Sequence, residues 1–101
     1  MNAADLMVQS INKLLETHNI DYERLWLTQN QTDKKMLIAL AQKEQALLSP
    51  AFNLKYGIPA TSTVFSSLKR MMNQGYVNKV DGAYELDDPF FAEWIKQKRS
   101  A

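Results

Sequence analysis

Between Ser49 and Leu86 this 101-residue chain carries two helix patterns about three residues apart, followed at once by a hairpin pattern. Few arrangements satisfy that order. Ser49-Pro50 is a strong helix start, because serine caps free amides and proline at the first helical position lacks an amide that had no partner anyway. Phe52 and Tyr56, four apart, face one side, and Gly57 supplies a left-handed stop. After Ile58-Pro59, the segment Ala60–Gln74 reads as a helix with Val64, Phe65, Leu68, Met71 and Met72 inward and Gly75 as its terminator. This spacing is the helix-turn-helix proportion. Tyr76–Val80 and Ala83–Leu86 are β-favouring runs around Asp81-Gly82, a pair that tolerates the positive φ a two-residue hairpin turn demands. A hairpin placed directly after the second helix is a wing.

The remaining patterns surround this unit. Asn2 to about Thr17 places Met7, Val8, Ile11, Leu14 and Leu15 on one helical stripe, with Asn2 as N-cap. Ile20–Leu27 reads as a packed linker anchored by Trp26, with Asp21 capping a short turn. Thr28-Gln29-Asn30-Gln31 matches a capping box, with Thr32 a rival start, for a helix that buries Met36, Leu37, Leu40 and Ala41. Gln45–Leu48 is apolar enough for a stub of strand. Asp87-Asp88-Pro89 opens a last helix carrying Phe90, Phe91, Trp94 and Ile95, which Lys96, Lys98 and Arg99 finish with the charge its carboxyl end favours. The fold class is therefore mainly α with a small β-hairpin: a winged helix-turn-helix preceded by an extra N-terminal helix and followed by a C-terminal helix. Residues 1–27 form the N-terminal helix and packed linker, and residues 28–101 the winged-helix domain with its C-terminal helix.

Composition narrows the function. A chain of this length has room for one core. It contains no cysteine, which removes disulfides, thiolate catalysis and the usual structural zinc sites and points to a reducing cytoplasm. Apolar runs such as Met36–Ala41 are too short to span a bilayer, and Asp5 stands where a secretory signal would carry base. With one histidine, no Gly-rich phosphate loop and no Ser/His/Asp set, the chain itself is not expected to be an enzyme, to bind a metal or to hold a cofactor.

The run from Thr28 through Ala41, then Phe52, Tyr56-Gly57-Ile58-Pro59, Ser62-Thr63-Val64, Leu68 and Gly75-Tyr76-Val77, and finally Tyr84–Phe91 and Trp94-Ile95, resembles a known tail. It is similar to the C-terminal winged-helix domain of prokaryotic AAA-related, archaeal-type ATPases. The likeness spans roughly Leu27 to Gln97, and its most specific part is the Asp-Pro-Phe-Phe-x-x-Trp stretch at Asp88–Trp94. It implies an N-terminal ATPase domain in cis that binds ATP. No G-x-x-x-x-G-K-[ST] loop occurs in this sequence, so the nucleotide site would lie in a part of the parent protein not included here.

Stepping 100° per residue from Leu68 puts Ser62, Thr63, Ser66, Arg70 and Asn73 on the outer face of the second helix, flanked by Lys69 and Ser67. Short hydroxyls let a helix approach a groove, and arginine and asparagine reach bases or phosphates. An exposed helix face is polar in any globular protein, so the pattern alone also fits a solvated surface. Charge adds to the first reading. Gln45–Val80 holds no acid while Lys55, Lys69, Arg70 and Lys79 give it +4, against −1 before it and −2 after it. The expected partner is duplex DNA, bound weakly and salt-dependently. Asp81 at the wing tip would repel phosphate, and its role is read as turn geometry. The alternative is a protein-interaction module that docks on its own ATPase domain, a partner or a second copy through Phe90, Phe91, Trp94 and the first helix, although such aromatics are more often core. His18 reads as a solvated or capping side chain, and Lys96–Arg99 as a solvated basic terminus.

Overall fold

A computed structural model describes residues 2–100; Met1 and Ala101, the outermost residues of the two segments read from sequence, lie outside them. Six helices and one hairpin follow in order: α1 (Ala3–Thr17), α2 (Asn19–Leu27), α3 (Gln31–Ala41), α4 (Pro50–Tyr56), α5 (Thr61–Asn73), β1 (Val77–Val80), β2 (Ala83–Leu86) and α6 (Pro89–Lys98). Among the described residues no helix is long and apolar enough to cross a membrane.

Local chemistry sets most of these boundaries. Asn2 caps α1 by accepting from the Asp5 amide at 2.9 Å, and Ser49 caps α4 by accepting from the Phe52 amide at 3.2 Å. Asp88 does the same for α6 through the Phe90 amide, 2.9 Å away, with Pro89 at the first position. Gly57 ends α4 at φ 64°. The wing pairs antiparallel, Val77 opposite Leu86 and Val80 opposite Ala83, around Asp81 (φ 50°) and Gly82 (φ 81°). Two consecutive positive φ values are the primed turn that matches strand twist.

Three element boundaries differ from the sequence pattern. Ile20–Leu27 is a regular helix within α2 rather than a linker, because Tyr22 and Trp26 turn toward α6 and Leu25 packs on the core, which rewards helical spacing. Asp21 sits in its first turn, and His18 occupies the cap position without a side-chain capping bond. Asn30 caps α3, accepting from the Asp33 amide at 2.8 Å, so neither Thr28 nor Thr32 starts it. The Thr28 hydroxyl instead donates back to the Leu25 carbonyl at 2.6 Å, which closes α2. Finally, Gln45–Leu48 forms no strand. Lys43 (φ 57°) and Ala46 (φ 52°) are both left-handed, which breaks any extended run between α3 and α4. Lys43 is the left-handed residue of a Schellman end on α3: its amide bonds the Leu40 carbonyl at 3.0 Å, and the Glu44 amide bonds Ala39 at 3.0 Å.

The core lies where α3 meets α5 and α6. Met36, Leu37, Val64, Leu68, Met71, Trp94 and Ile95 are fully buried there, with Leu15, Trp26, Phe52 and Val77 closing its edges. Trp94 satisfies its indole N–H on Asn19 Oδ1 at 2.8 Å, and Arg99 lies over both Trp26 and Trp94 at 5.7 and 5.5 Å while pairing with Glu23. Arg99 is thus a clamp on the aromatic cluster rather than part of a solvated terminus. Only the second half of α1 packs on this body. Met7 and Val8, expected inward, are exposed because the first turns of α1 overhang the core, in keeping with the elongated 47 × 26 × 25 Å shape.

Candidate nucleic-acid interface

The helix-turn-helix unit is held by its turn. Lys35 on α3 donates to the Gly57 carbonyl at 2.9 Å, and the Asn53 amide group of α4 donates to the Thr61 hydroxyl of α5 at 3.0 Å. The first ties α3 to the end of α4 and the second ties α4 to the start of α5, while burial of Val64, Ser67, Leu68 and Met71 sets which face of α5 looks outward. That face carries Ser62, Phe65, Ser66, Lys69, Met72 and Asn73, all exposed and spaced three and four apart. Thr63 is half-buried beside it. Phe65 and Met72 had been expected inward. They are 50% and 38% exposed, because the core touches α5 only along Val64, Ser67, Leu68 and Met71, a narrower arc than the apolar pattern suggests.

The four basic residues of the acid-free stretch fare unequally. Arg70 folds back onto α3, donating from Nε to Asp33 Oδ2 at 2.9 Å and from an Nη to Asp33 Oδ1 at 2.6 Å. This two-pronged bond removes Arg70 from the outer face on which the helical wheel had placed it. Lys55 pairs with Glu44 at 2.8 Å. Lys79 lies 5.2 Å over the Tyr84 ring on the wing, with its charge still open to solvent. Lys69 is exposed and has no carboxylate within ion-pair distance among the described residues. Of four sequence cations, Lys69 and Lys79 remain available.

Asp33 is the residue that sequence reasoning missed. Its side chain is buried, and besides Arg70 it accepts from the hydroxyl of Ser67, itself fully buried although the wheel had put it on the flank of the outer face. Burial pushes the Asp33 carboxyl up, but the hydrogen bonds from Arg70 and Ser67 and the guanidinium charge outweigh it and hold the group below its ordinary value. The same bonds hold the Arg70 guanidinium even more firmly protonated. A signal was present: Asp33 precedes Met36, Leu37 and Leu40 by three, four and seven, so it stands on the buried stripe of α3.

The aromatic set divides as sharply. Phe91 and Trp94 are 4% and 0% exposed, stacked at 6.0 Å, and cannot meet a partner. They anchor α6 to α2 through Tyr22, whose ring lies 5.3 Å from that of Phe91. Phe90, one position away and 40% exposed, is the member of the trio that reaches the surface.

The arrangement thus presents the outer face of α5, an adjoining hairpin whose turn carries Asp81, and Lys69 and Lys79, which have no carboxylate partner among the described residues. Among the described residues there is no cluster of metal-binding side chains. No curated protein and no solved structure matches the chain. Residues 20–97 match the family described as "Probable winged helix domain", and with two helices about a pinned turn and a paired wing behind them, this chain belongs to that winged-helix family.

Proposed function

We propose that the chain is a duplex-DNA-binding module of low affinity that serves as the C-terminal domain of a prokaryotic AAA-related ATPase. In this reading α5 enters the major groove, and nucleotide hydrolysis belongs to a P-loop domain elsewhere in the parent protein. The observation that carries the reading is the outer face of α5. Ser62, Ser66, Lys69 and Asn73 stand on it without a carboxylate, and Lys69 has no ion-pair partner among the described residues. Phe65 among them suits contact with a thymine methyl. The AAA-related parent rests on the likeness of the Asp88–Trp94 stretch, and a reducing cytoplasm on the lack of cysteine.

Charge arithmetic limits the affinity. Two phosphate contacts, from Lys69 and Lys79, give a slope of log K on log salt of about −1.8, and non-specific affinity on the order of 10⁻⁴ to 10⁻⁶ M. Repetition in an oligomeric parent would raise the effective concentration enough for such a module to act. A second reading, docking on the ATPase domain, is favoured by one observation: Phe65, Met72 and Phe90 are large apolar side chains left at the surface.

Anisotropy of a labelled duplex, titrated at several salt concentrations, tests the proposal. Lys69→Ala should shallow the slope by about 0.9, whereas Arg70→Ala should leave the slope unchanged, because that guanidinium serves Asp33. Absence of salt-sensitive binding, or a slope indifferent to Lys69, refutes it. Duplex-blind protein that binds the parent's ATPase domain through Phe65 supports the second reading instead.

A further inference from the structure

The outer edge of the wing borders a groove of about 940 Å³ that runs between β2 and the irregular loop joining α3 to α4. One wall is Gly82–Asp87 and the other Lys43–Leu48, with Leu40, Ala41 and Ala92 also lining it. Because left-handed Lys43 and Ala46 keep the loop from extending, no strand among the described residues pairs with β2 on this side. The direction of the free backbone groups follows from the register. The Asp87 amide bonds the Tyr76 carbonyl at 2.9 Å, so Tyr76 and Asp87 form a hydrogen-bonded pair. Alternation along an antiparallel ladder makes Asn78 with Glu85 and Val80 with Ala83 bonded pairs as well. Tyr84 and Leu86 therefore aim their N–H and C=O groups away from β1, toward the groove, and among the described residues neither amide has another backbone partner.

We infer that this groove takes an extended peptide as a third strand on β2, and that the peptide alternates cationic and apolar residues. Strand addition would satisfy the free amides and carbonyls of Tyr84 and Leu86. The alternation comes from the pleat. Tyr84 and Leu86 are half-buried on the core side, so residues level with them would rest on the apolar floor. Glu85 points the other way, exposed, and asks for lysine or arginine opposite it, whereas the Asp87 carboxylate, also exposed, accepts from the Asn78 side chain on β1. The groove as a whole holds four carboxylates, Glu44, Glu85, Asp87 and Glu93, against Lys43 and Lys96. Three of these are already answered, Glu44 by Lys55, Glu93 by Lys96 and Asp87 by the Asn78 side-chain amide, which donates to it at 2.7 Å, so the demand on β2 itself falls on Glu85. A second copy of this edge would set Glu85 and Asp87 against carboxylates of like charge and is disfavoured. The inference does not rest on duplex binding, since α5 contributes no residue to the groove.

The test uses a capped peptide of about six residues, a typical strand length, alternating lysine and valine. Amide hydrogen exchange of the isotope-labelled chain is followed with and without it. Slowed exchange at Tyr84 and Leu86 is expected. The effect should vanish with a peptide N-methylated at alternate positions, which keeps charge and apolarity but cannot pair. A glutamate-valine peptide should bind more weakly, and Glu85→Lys should weaken the lysine-valine peptide roughly fivefold. The inference is overturned if those two amides are unprotected, if the N-methylated peptide protects them equally, or if protection grows with protein concentration alone, which would make the occupant a second copy.

Discussion

Replacing Arg70 by alanine should cost more stability than replacing Asp33, although both changes break the same ion pair. The asymmetry comes from what is left behind. The Arg70 side chain is 42% exposed and the Asp33 side chain 4%. Without Asp33, the guanidinium turns into water and the main loss is an unsatisfied Ser67 hydroxyl together with the charge-assisted bonds, about 1–2 kcal/mol. Without Arg70, a carboxylate stays buried with one hydroxyl for company. Breaking a fully buried pair costs about 3–5 kcal/mol, and the exposure of Arg70 reduces this to about 2–3 kcal/mol. Urea denaturation at neutral pH should resolve the two variants with unchanged m values, and the double variant should fall short of additivity. Acid adds a second check. The folded protein holds Asp33 below the ordinary aspartate value of 3.8, so its contribution is present above that pH and is lost as pH falls through the lower folded value. In Arg70→Ala the lone carboxyl takes up a proton earlier, so the gap between variant and parent should narrow toward pH 3. The reasoning fails if Asp33→Ala is the more damaging change, or if the cost of Arg70→Ala is the same at pH 7 and pH 3.

Lys43→Gly should stabilise the chain by about 1 kcal/mol in the same assay, since glycine takes the left-handed position at the end of α3 without the strain a side chain brings. Leu68→Ala should cost about 2–5 kcal/mol and Phe65→Ala under about 1 kcal/mol, a contrast that reports which of the two faces the core. Tyr22 and Tyr56 should ionise only near pH 12, as followed by phenolate absorbance. Burial raises both, aided by Asp88 beside Tyr22 and by Glu44 beside Tyr56. Folding favours the neutral phenol, so stability from these residues is whole below pH 10 and declines as the pH climbs toward 12.

What could be read from the sequence was what depends on neighbours a few residues apart. Ser49-Pro50, Asp81-Gly82 and Asp88-Pro89 each carry their own local reason, and each holds. The start of α3 went astray because Thr28 and Asn30 are both competent caps, and the choice fell to the preceding helix: α2 runs through Leu27 and takes the Thr28 hydroxyl for its own end. Burial on α5 was over-read because apolar residues cover more of its circumference than α3 and the wing do, which leaves Phe65 and Met72 outside. The committed state of Arg70 was hidden for a different reason. Its partner Asp33 lies 37 positions away, and only the crossing of α3 and α5 brings them together. A candidate interface counted from sequence charges alone therefore overstated its cations, and the burial of Trp94 and Phe91 removed the aromatic docking face that the last helix had suggested.

Amide chemical-shift mapping of the isotope-labelled chain with a short duplex at low salt tests the central proposal most directly. Shifts confined to Ser62, Phe65, Ser66, Lys69 and Asn73, with lesser changes around Lys79 and reversal by added salt, are the result the α5 reading requires. Shifts confined to the basic C-terminal end, or none on α5 at duplex concentrations well above 10⁻⁴ M, would contradict it.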